Sequence, residues 1–306
     1  PTGKDILWQL EAQQARDPAL PGRDASRTRE APLVARERHM DALDQAWKTI
    51  RAGTGVTVLV EGRSGMGKST LANTFLSRCA EKHAAVVLRG RCYEGETVPF
   101  KALDSLVDSL SRHLLTLPKE RTVALLPNDL TALGSAFPVL RRVRAIEKAF
   151  LNEGERVRQD LDLRRRAFAA LEELLRHLAS ACPLIVYIDD LQWGDADSLP
   201  LFIELVQSTE FAGLVLGTYR VEELQTSACL RELIPAIDGA GEHVRRLQVG
   251  RLSDEEALAL AQSALPSELV RAGVAERIAK EAKGSPYFVH ELARFAASGV
   301  GSIEPG

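Results

Sequence analysis

The chain has 306 residues, 45% of them hydrophobic and 26% charged, with a net charge of −3. That length suits one large domain plus a small one with a sizeable core, and the mild negative balance speaks against direct nucleic-acid or membrane-surface binding by this segment. No apolar run approaches a membrane span and no signal-peptide pattern is present, while four cysteines without paired spacing, Cys79, Cys92, Cys182 and Cys229, read as reduced thiols of a cytoplasmic protein.

The sequence begins at Pro1 rather than Met, which reads as a piece of something longer. Residues 1–30 read as a short helix with Ile6, Leu7 and Leu10 on its apolar face, then a linker of Arg, Asp, Pro and Gly without apolar periodicity. Residues 31–250 alternate short apolar runs with helical stretches, which predicts an α/β domain with a parallel sheet. Strands are expected at Val56–Val60, Ala85–Leu88, Leu184–Ile188, Leu214–Thr218 and Val244–Val249. Arg245 and Arg246 interrupt the last run and place it at an edge. Helices fall between the strands, notably Lys68–His83 and Lys101–Leu117. Cys79 and His83 lie four apart on the first of these, a spacing open to metal ligands, but no second pair accompanies them and they read as core or surface residues.

Between the first strand and its helix runs Gly62-Arg63-Ser64-Gly65-Met66-Gly67-Lys68-Ser69-Thr70, the G-x-x-x-x-G-K-[ST] pattern of a phosphate-binding P-loop, or Walker A. Glycines let the backbone wrap an anion without Cβ clashes. Successive N–H groups then meet the phosphates at a helix N-terminus, where the macrodipole favours negative charge. Lys68 reaches the β- and γ-phosphates, and the Ser69 hydroxyl holds Mg²⁺.

Ahead of the third strand, Val157, Leu161, Phe168, Leu171, Leu175 and Leu178 form one apolar helical stripe. Arg164, Arg165 and Arg166 interrupt it. With Asp160, Asp162, Glu172 and Glu173 close in sequence, they read as a salt-bridged solvated face rather than a nucleic-acid patch. The third strand ends in Asp189-Asp190, which reads as Walker B: Asp189 reaches Mg²⁺, and Asp190 orients or deprotonates the attacking water. The fourth ends in Thr218-Tyr219-Arg220, on the side of a parallel sheet where ligands sit. Arg220 is positioned to pair with a γ-phosphate oxygen or with Asp190.

Residues 251–306 change character. Ser253-Asp254-Glu255-Glu256 is a capping box, and Ser267–Lys283 and Pro286–Ala297 read as further helices, together a small, truncated all-helical lid. Other chemistries find no pattern: H-E-x-x-H and G-x-S-x-G are missing, and adjacent strand carboxylates diverge, which disfavours a glycosidase pair.

Over about residues 31–297 the chain resembles the STAND-type AAA ATPases of bacterial signalling and transcription regulators. The P-loop is one of five matching places. Leu33-Val34-Ala35-Arg36-Glu37-Arg38 resembles the entry motif, with Ala35 where the family usually has Gly. Arg89-Gly90-Arg91-Cys92 with Val98-Pro99-Phe100 is similar to the second-strand region. Asp189-Asp190-Leu191-Gln192-Trp193-Gly194-Asp195 resembles D-D-L-H-W-A-D, with Gln192 for His and Gly194 for Ala. Gly284-Ser285-Pro286-Tyr287-Phe288 resembles the G-N-P-[FL] lid motif.

The resemblance implies a three-layer α/β/α P-loop NTPase fold with sheet order 5-1-4-3-2. It implies that Val34 and Arg36 lie beside the adenine and that Pro286 packs near it; capping by Gly284 and helix initiation by Pro286 account for the same residues locally. Trp193 and His290 read as structural. The implied function is an ATP-binding, slowly ATP-hydrolysing switch of a multidomain bacterial signalling protein: ADP closes it, and ATP opens it and promotes self-assembly. Pro1-Thr2-Gly3-Lys4-Asp5-Ile6-Leu7 resembles the end of a protein kinase domain, which implies a Ser/Thr kinase fused upstream. The competing readings are a small-molecule or nucleotide P-loop kinase, a non-hydrolysing ADP-bound scaffold, and a DNA-working AAA machine. The paired aspartates and the helical lid favour the switch over the kinase, the mild negative charge speaks against the DNA machine, and the sequence does not separate the scaffold from a slow ATPase.

Overall fold

Five short apolar runs form strands because β-branched and aliphatic residues fit a pleated surface buried on both faces. In a computed structural model that describes residues 33–95, 101–153, 161–208, 210–239 and 241–300, they are β1 (Val56–Gly62), β2 (Val86–Arg91), β3 (Leu184–Asp189), β4 (Leu214–Arg220) and β5 (Val244–Gln248). The expected helix and linker of residues 1–30, the kinase-like Pro1–Leu7, Val98-Pro99-Phe100 and Val157 lie outside the described residues. The strands are all parallel, in the order β2-β3-β4-β1-β5. This is the implied order, read from the other edge.

Helices flank the sheet: α1 (Glu37–Arg51), α2 (Lys68–His83), α3 (Lys101–Thr116), α4 (Lys119–Leu125), α5 (Leu130–Ala136), α6 (Arg144–Glu153), α7 (Leu161–Ala181), α8 (Leu199–Gln207) and α9 (Ala228–Asp238). They are followed by α10 (Asp254–Ala264), α11 (Ser267–Arg271), α12 (Val274–Ala282) and α13 (Pro286–Val300). Each strand runs between one and three residues further at its C-terminal end than the apolar run suggested, except β5, which stops at Gln248. Periodicity marks burial, whereas the ladder continues for as long as a neighbour supplies hydrogen bonds.

Contacts divide the described chain into two compact units. The larger holds residues 38–63 and 75–248, and so the whole sheet. Its middle strand is β4, flanked by β3, which is buried at every position, and by β1. β5 is half-exposed, as its arginines predicted: Arg245 donates to the Thr49 hydroxyl at 3.2 Å and Arg246 pairs with Asp238. Leu171, Leu175 and Leu178 of α7 are buried in the core with Leu88 and Val186 of the sheet, and Phe168 stacks on Phe137. Each such side chain contributes about 1.5–3 kcal/mol by leaving water.

Arg164 pairs with Asp197 at 2.6 Å and Arg166 with Asp129 at 2.7 Å, so these arginines belong to an ion-paired face, as expected, with partners that include other segments. Cys79 is a buried core residue of α2, and the His83 ring stacks on Trp47 at 5.4 Å. These contacts give both residues packing roles. The four thiols are free, and burial pushes those of Cys79 and Cys229 up to about 12.

The smaller unit holds residues 33–37, 64–74 and 249–300. Its core joins Leu252, Leu260, Ile278, Val289 and Leu292, with Val34 and Ala35 packed against them. The capping box forms as expected, Ser253 accepting from the Glu256 N–H and Glu256 from the Ser253 N–H. The single helical stretch expected over Ser267–Lys283 is instead two helices, α11 and α12, parted at Gly273, whose φ of 74° ends one and starts the next. Lys283 and Gly284, both left-handed, close α12, and Pro286 opens α13.

Ala35 explains the departure at the entry motif. Its φ is 58°, a left-handed conformation that costs an L-residue roughly 1–2 kcal/mol and glycine almost nothing. Ala35→Gly is therefore expected to stabilise the protein by up to about 1 kcal/mol, after the greater unfolded-state entropy of glycine is subtracted. Thermal and denaturant melting check this, and a lower midpoint contradicts it.

Candidate functional site

The loop after β1 turns into α2 through two left-handed glycines, Gly65 at φ 75° and Gly67 at φ 86°. Alternating handedness curls successive backbone N–H groups into a concavity for an anion. Lys68 is the first residue of α2 and is 7% exposed. A buried ammonium at a helix N-terminus faces both a desolvation cost and the unfavourable end of the macrodipole. A polyphosphate offsets both, so this donor set fits a nucleotide. Arg63 is exposed, and Ser64, Ser69 and Thr70 are half-buried.

The same loop is gripped by its own unit. The Tyr287 N–H, in the first turn of α13, donates to the Gly65 carbonyl at 3.2 Å. A Cβ on Gly65 would stand 3.1 Å from the Tyr287 Cβ, and the Pro286 Cγ lies 4.0 Å from the Cβ position of Gly67. Arg36 is 6% exposed, and its guanidinium donates to the Met66 carbonyl at 3.2 Å and the Gly250 carbonyl at 2.7 Å. Burial lowers its pKa, opposed by Glu256. Arg36 thus ties the phosphate loop to the segment that leads into α10. Val34 packs in the helical core beneath.

In the larger unit, parallel register brings the ends of four strands to one edge. Gly62 lies opposite Arg220, and Arg91 opposite Asp189. Asp189 is buried at 8% exposure and accepts from the Thr218 hydroxyl at 2.6 Å. That hydroxyl also accepts from the Asp190 N–H at 3.0 Å. Asp190, just beyond the end of β3, has a left-handed φ of 56°. Its Oδ1 accepts from the Gln192 amide at 2.9 Å, its Oδ2 from Arg91 at 3.2 Å, and the Arg220 Nε stands 3.9 Å from Oδ1. The pairing of Arg220 with Asp190 expected from sequence is present.

The structure therefore brings the sequence-derived residues together in two groups. Asp189, Asp190 and Arg220 meet at the strand ends. Gly65, Met66, Gly67, Arg36 and Pro286 meet at the loop. Arg91, Thr218, Gln192 and Tyr287 had been quoted in motifs without an assigned part in the acidic cluster or the loop grip. The usable signal for Arg91 and Thr218 was their position at strand ends. For Gln192 and Tyr287 the sequence carried none, since their contacts depend on tertiary placement. Trp193 is half-buried against the sheet core, and His290 is half-buried with its pKa lowered by burial.

Residues 32–216 match the AAA ATPase domain family. An uncharacterized protein of Rhizobium meliloti (strain 1021) is 26% identical over 280 residues, which cover 88% of this chain but 25% of that protein. Among solved structures, the Walker-type ATPase PABY2304 of Pyrococcus abyssi aligns with a TM-score of 0.52 at 14% identity, covering 90% of this chain and 71% of that one. Cdc6p from Pyrobaculum aerophilum aligns with a TM-score of 0.50 at 15% identity, covering 91% and 65%. At these identities the structural likeness speaks for the fold. Among the described residues no helix is long and apolar enough to cross a membrane.

Gly194, where the signature resembled has Ala, has a local cause. A Cβ there would stand 2.7 Å from the Cys229 Sγ and 3.2 Å from the Leu191 carbonyl. Gly194→Ala is expected to destabilise by about 1–3 kcal/mol through overpacking, and Cys229→Ala in the same chain to recover more than half of that loss. Denaturant melts of the two single variants and the double variant check it; purely additive effects contradict the contact.

Proposed function

The chain belongs to the AAA ATPase domain family, and on that footing we propose that it is an ATP-binding, slowly ATP-hydrolysing regulatory switch. The observation that carries this reading is the grip of the helical segment on the phosphate loop. Tyr287 and Pro286 at the start of α13 rest on Gly65 and Gly67, and Arg36 joins Met66 to Gly250. A loop held in this way transmits its own rearrangement to the helices that hold it. That is the requirement for a two-state element biased by a ligand with different contacts in the two states.

In this reading the backbone of Gly62–Thr70 and the Lys68 ammonium bind the phosphates. Val34 and Pro286 line the base side, and Arg36 holds the loop that carries the phosphates. Ser69 and Asp189 are the Mg²⁺ ligands. Among the described residues no cluster of three or more His, Cys, Asp or Glu side chains is arranged for a metal, as suits an ion held chiefly by phosphate oxygens and water. ATP and Mg²⁺, when bound, supply the transferable phosphoryl group and the charge that stabilises its oxygens. Asp190 accepts the proton of water at its carboxylate, and Arg220 exchanges its partner Asp190 for a γ-phosphate oxygen. The chain covers a quarter of its curated relative's length, and this reading places it within a longer multidomain, cytoplasmic signalling protein. Flanking kinase, repeat or DNA-binding modules and nucleotide-driven self-assembly belong to the same proposal.

Two variants test it. Lys68→Ala is expected to weaken nucleotide binding by on the order of tenfold to a hundredfold, the loss of charge-assisted hydrogen bonds; unchanged affinity in a calorimetric titration sinks the phosphate-loop assignment. Asp190→Asn is expected to bind ATP normally and turn it over about a hundredfold more slowly. Full hydrolysis by that variant removes Asp190 from the mechanism, and phosphate transfer to a metabolite hydroxyl would favour the kinase reading instead.

A further inference from the structure

Gln192 is 3% exposed and both ends of its amide are engaged. Its Oε1 accepts from the Arg220 backbone N–H at 3.1 Å, which fixes the orientation of the amide, because only the oxygen accepts there. The NH₂ end therefore faces Asp190 and donates to Oδ1 at 2.9 Å. The backbone is pinned as well: the Gln192 carbonyl accepts from the Ser227 hydroxyl at 2.8 Å, and Ser227 is the N-cap of α9. Gln192 thus spans the ends of β3 and β4 as a rigid strut with a single donor aimed at one carboxylate oxygen.

The other groups around Asp190 hold it less firmly. The Arg91 side chain is 54% exposed, and Arg220 approaches only to 3.9 Å. A long, exposed arginine gives up side-chain entropy to hold one geometry, which weakens its grip on a carboxylate. A buried amide differs in two ways. It has no conformational freedom left to lose, and being neutral it orients a carboxylate without cancelling the charge that makes it a proton acceptor.

We propose that Gln192 is a positioning residue that fixes the Asp190 carboxylate in the orientation from which it takes the proton of water. The inference rests on the ATPase reading above. Gln192 touches neither phosphate nor water in this role and acts through Asp190 alone. Its energetic signature is accordingly distinct: removing it costs turnover but not nucleotide binding, and costs nothing once the Asp190 carboxylate is already gone.

The experiment is Mg·ATP hydrolysis by the full chain, comparing Gln192→Leu, Gln192→Glu, Asp190→Asn and the double variant Asp190→Asn/Gln192→Leu, with melting temperatures alongside. Gln192→Glu keeps the shape and the acceptor for the Arg220 N–H while replacing the donor to Asp190 by a second carboxylate oxygen. The expected result is a fall in kcat of about tenfold to a hundredfold for both Gln192 variants, with KM for ATP within about twofold and the double variant no slower than Asp190→Asn. If Gln192→Leu does not fold, Gln192→Glu decides by the same split. Wild-type kcat in the Gln192 variants, a rise in KM alone, or a full further loss on the Asp190→Asn background overturns the proposal. An Asp190→Asn variant that hydrolyses ATP normally removes Asp190 from the mechanism, and the part given to Gln192 with it, whereas a wild-type chain that turns over no Mg·ATP overturns the ATPase reading itself. An inactive Asp190→Asn beside an active Gln192→Leu overturns only the part given to Gln192.

Discussion

Two backbone carbonyls of the phosphate loop are gripped from within its own compact unit. The Gly65 carbonyl accepts from the Tyr287 N–H and the Met66 carbonyl from Arg36. Between them, two left-handed glycines give the loop a curvature that other residues adopt only under strain. The grip makes the C-terminal helices part of the same compact unit as the loop. The burial of Lys68 at the helix N-terminus follows the same logic: the position is costly for a cation alone and favourable for a cation that shares it with phosphates.

A second constraint governs the strand ends. Parallel pairing aligns Gly62 with Arg220 and Arg91 with Asp189, so that each strand delivers its last polar residue to one edge. Thr218 then serves two neighbours at once, donating to Asp189 and accepting from the Asp190 N–H. Asp190 follows β3 with a left-handed backbone, and its carboxylate is held by Gln192 and Arg91 rather than by Thr218. Gln192 and the N-cap Ser227 extend the network into α9.

Much of this was legible in the sequence because it is local. A β-branched run, a glycine-rich loop and a lysine at a helix start occupy consecutive residues, so the β1–loop–α2 unit follows from pattern alone. The acidic end of β3 and the polar end of β4 are legible for the same reason. What escaped is long-range. The Met66 and Gly250 carbonyls reached by Arg36 are 30 and 214 residues away along the chain. The pairing of Arg164 with Asp197 and of Arg166 with Asp129 reaches other segments, and no periodicity on α7 reports it. Gly194 reads as a drift from its signature until the Cys229 sulfur occupies the space of the missing Cβ. The break at Gly273 was visible as a glycine, but an isolated glycine does not by itself end a helix.

The most direct measurement is to denature the freshly purified protein and identify the nucleotide it releases by chromatography. A loop gripped by its own helices predicts ADP in near-stoichiometric amount. Protein that releases no nucleotide, and that shows no ATP or ADP binding in a subsequent titration with Mg²⁺, would contradict the account.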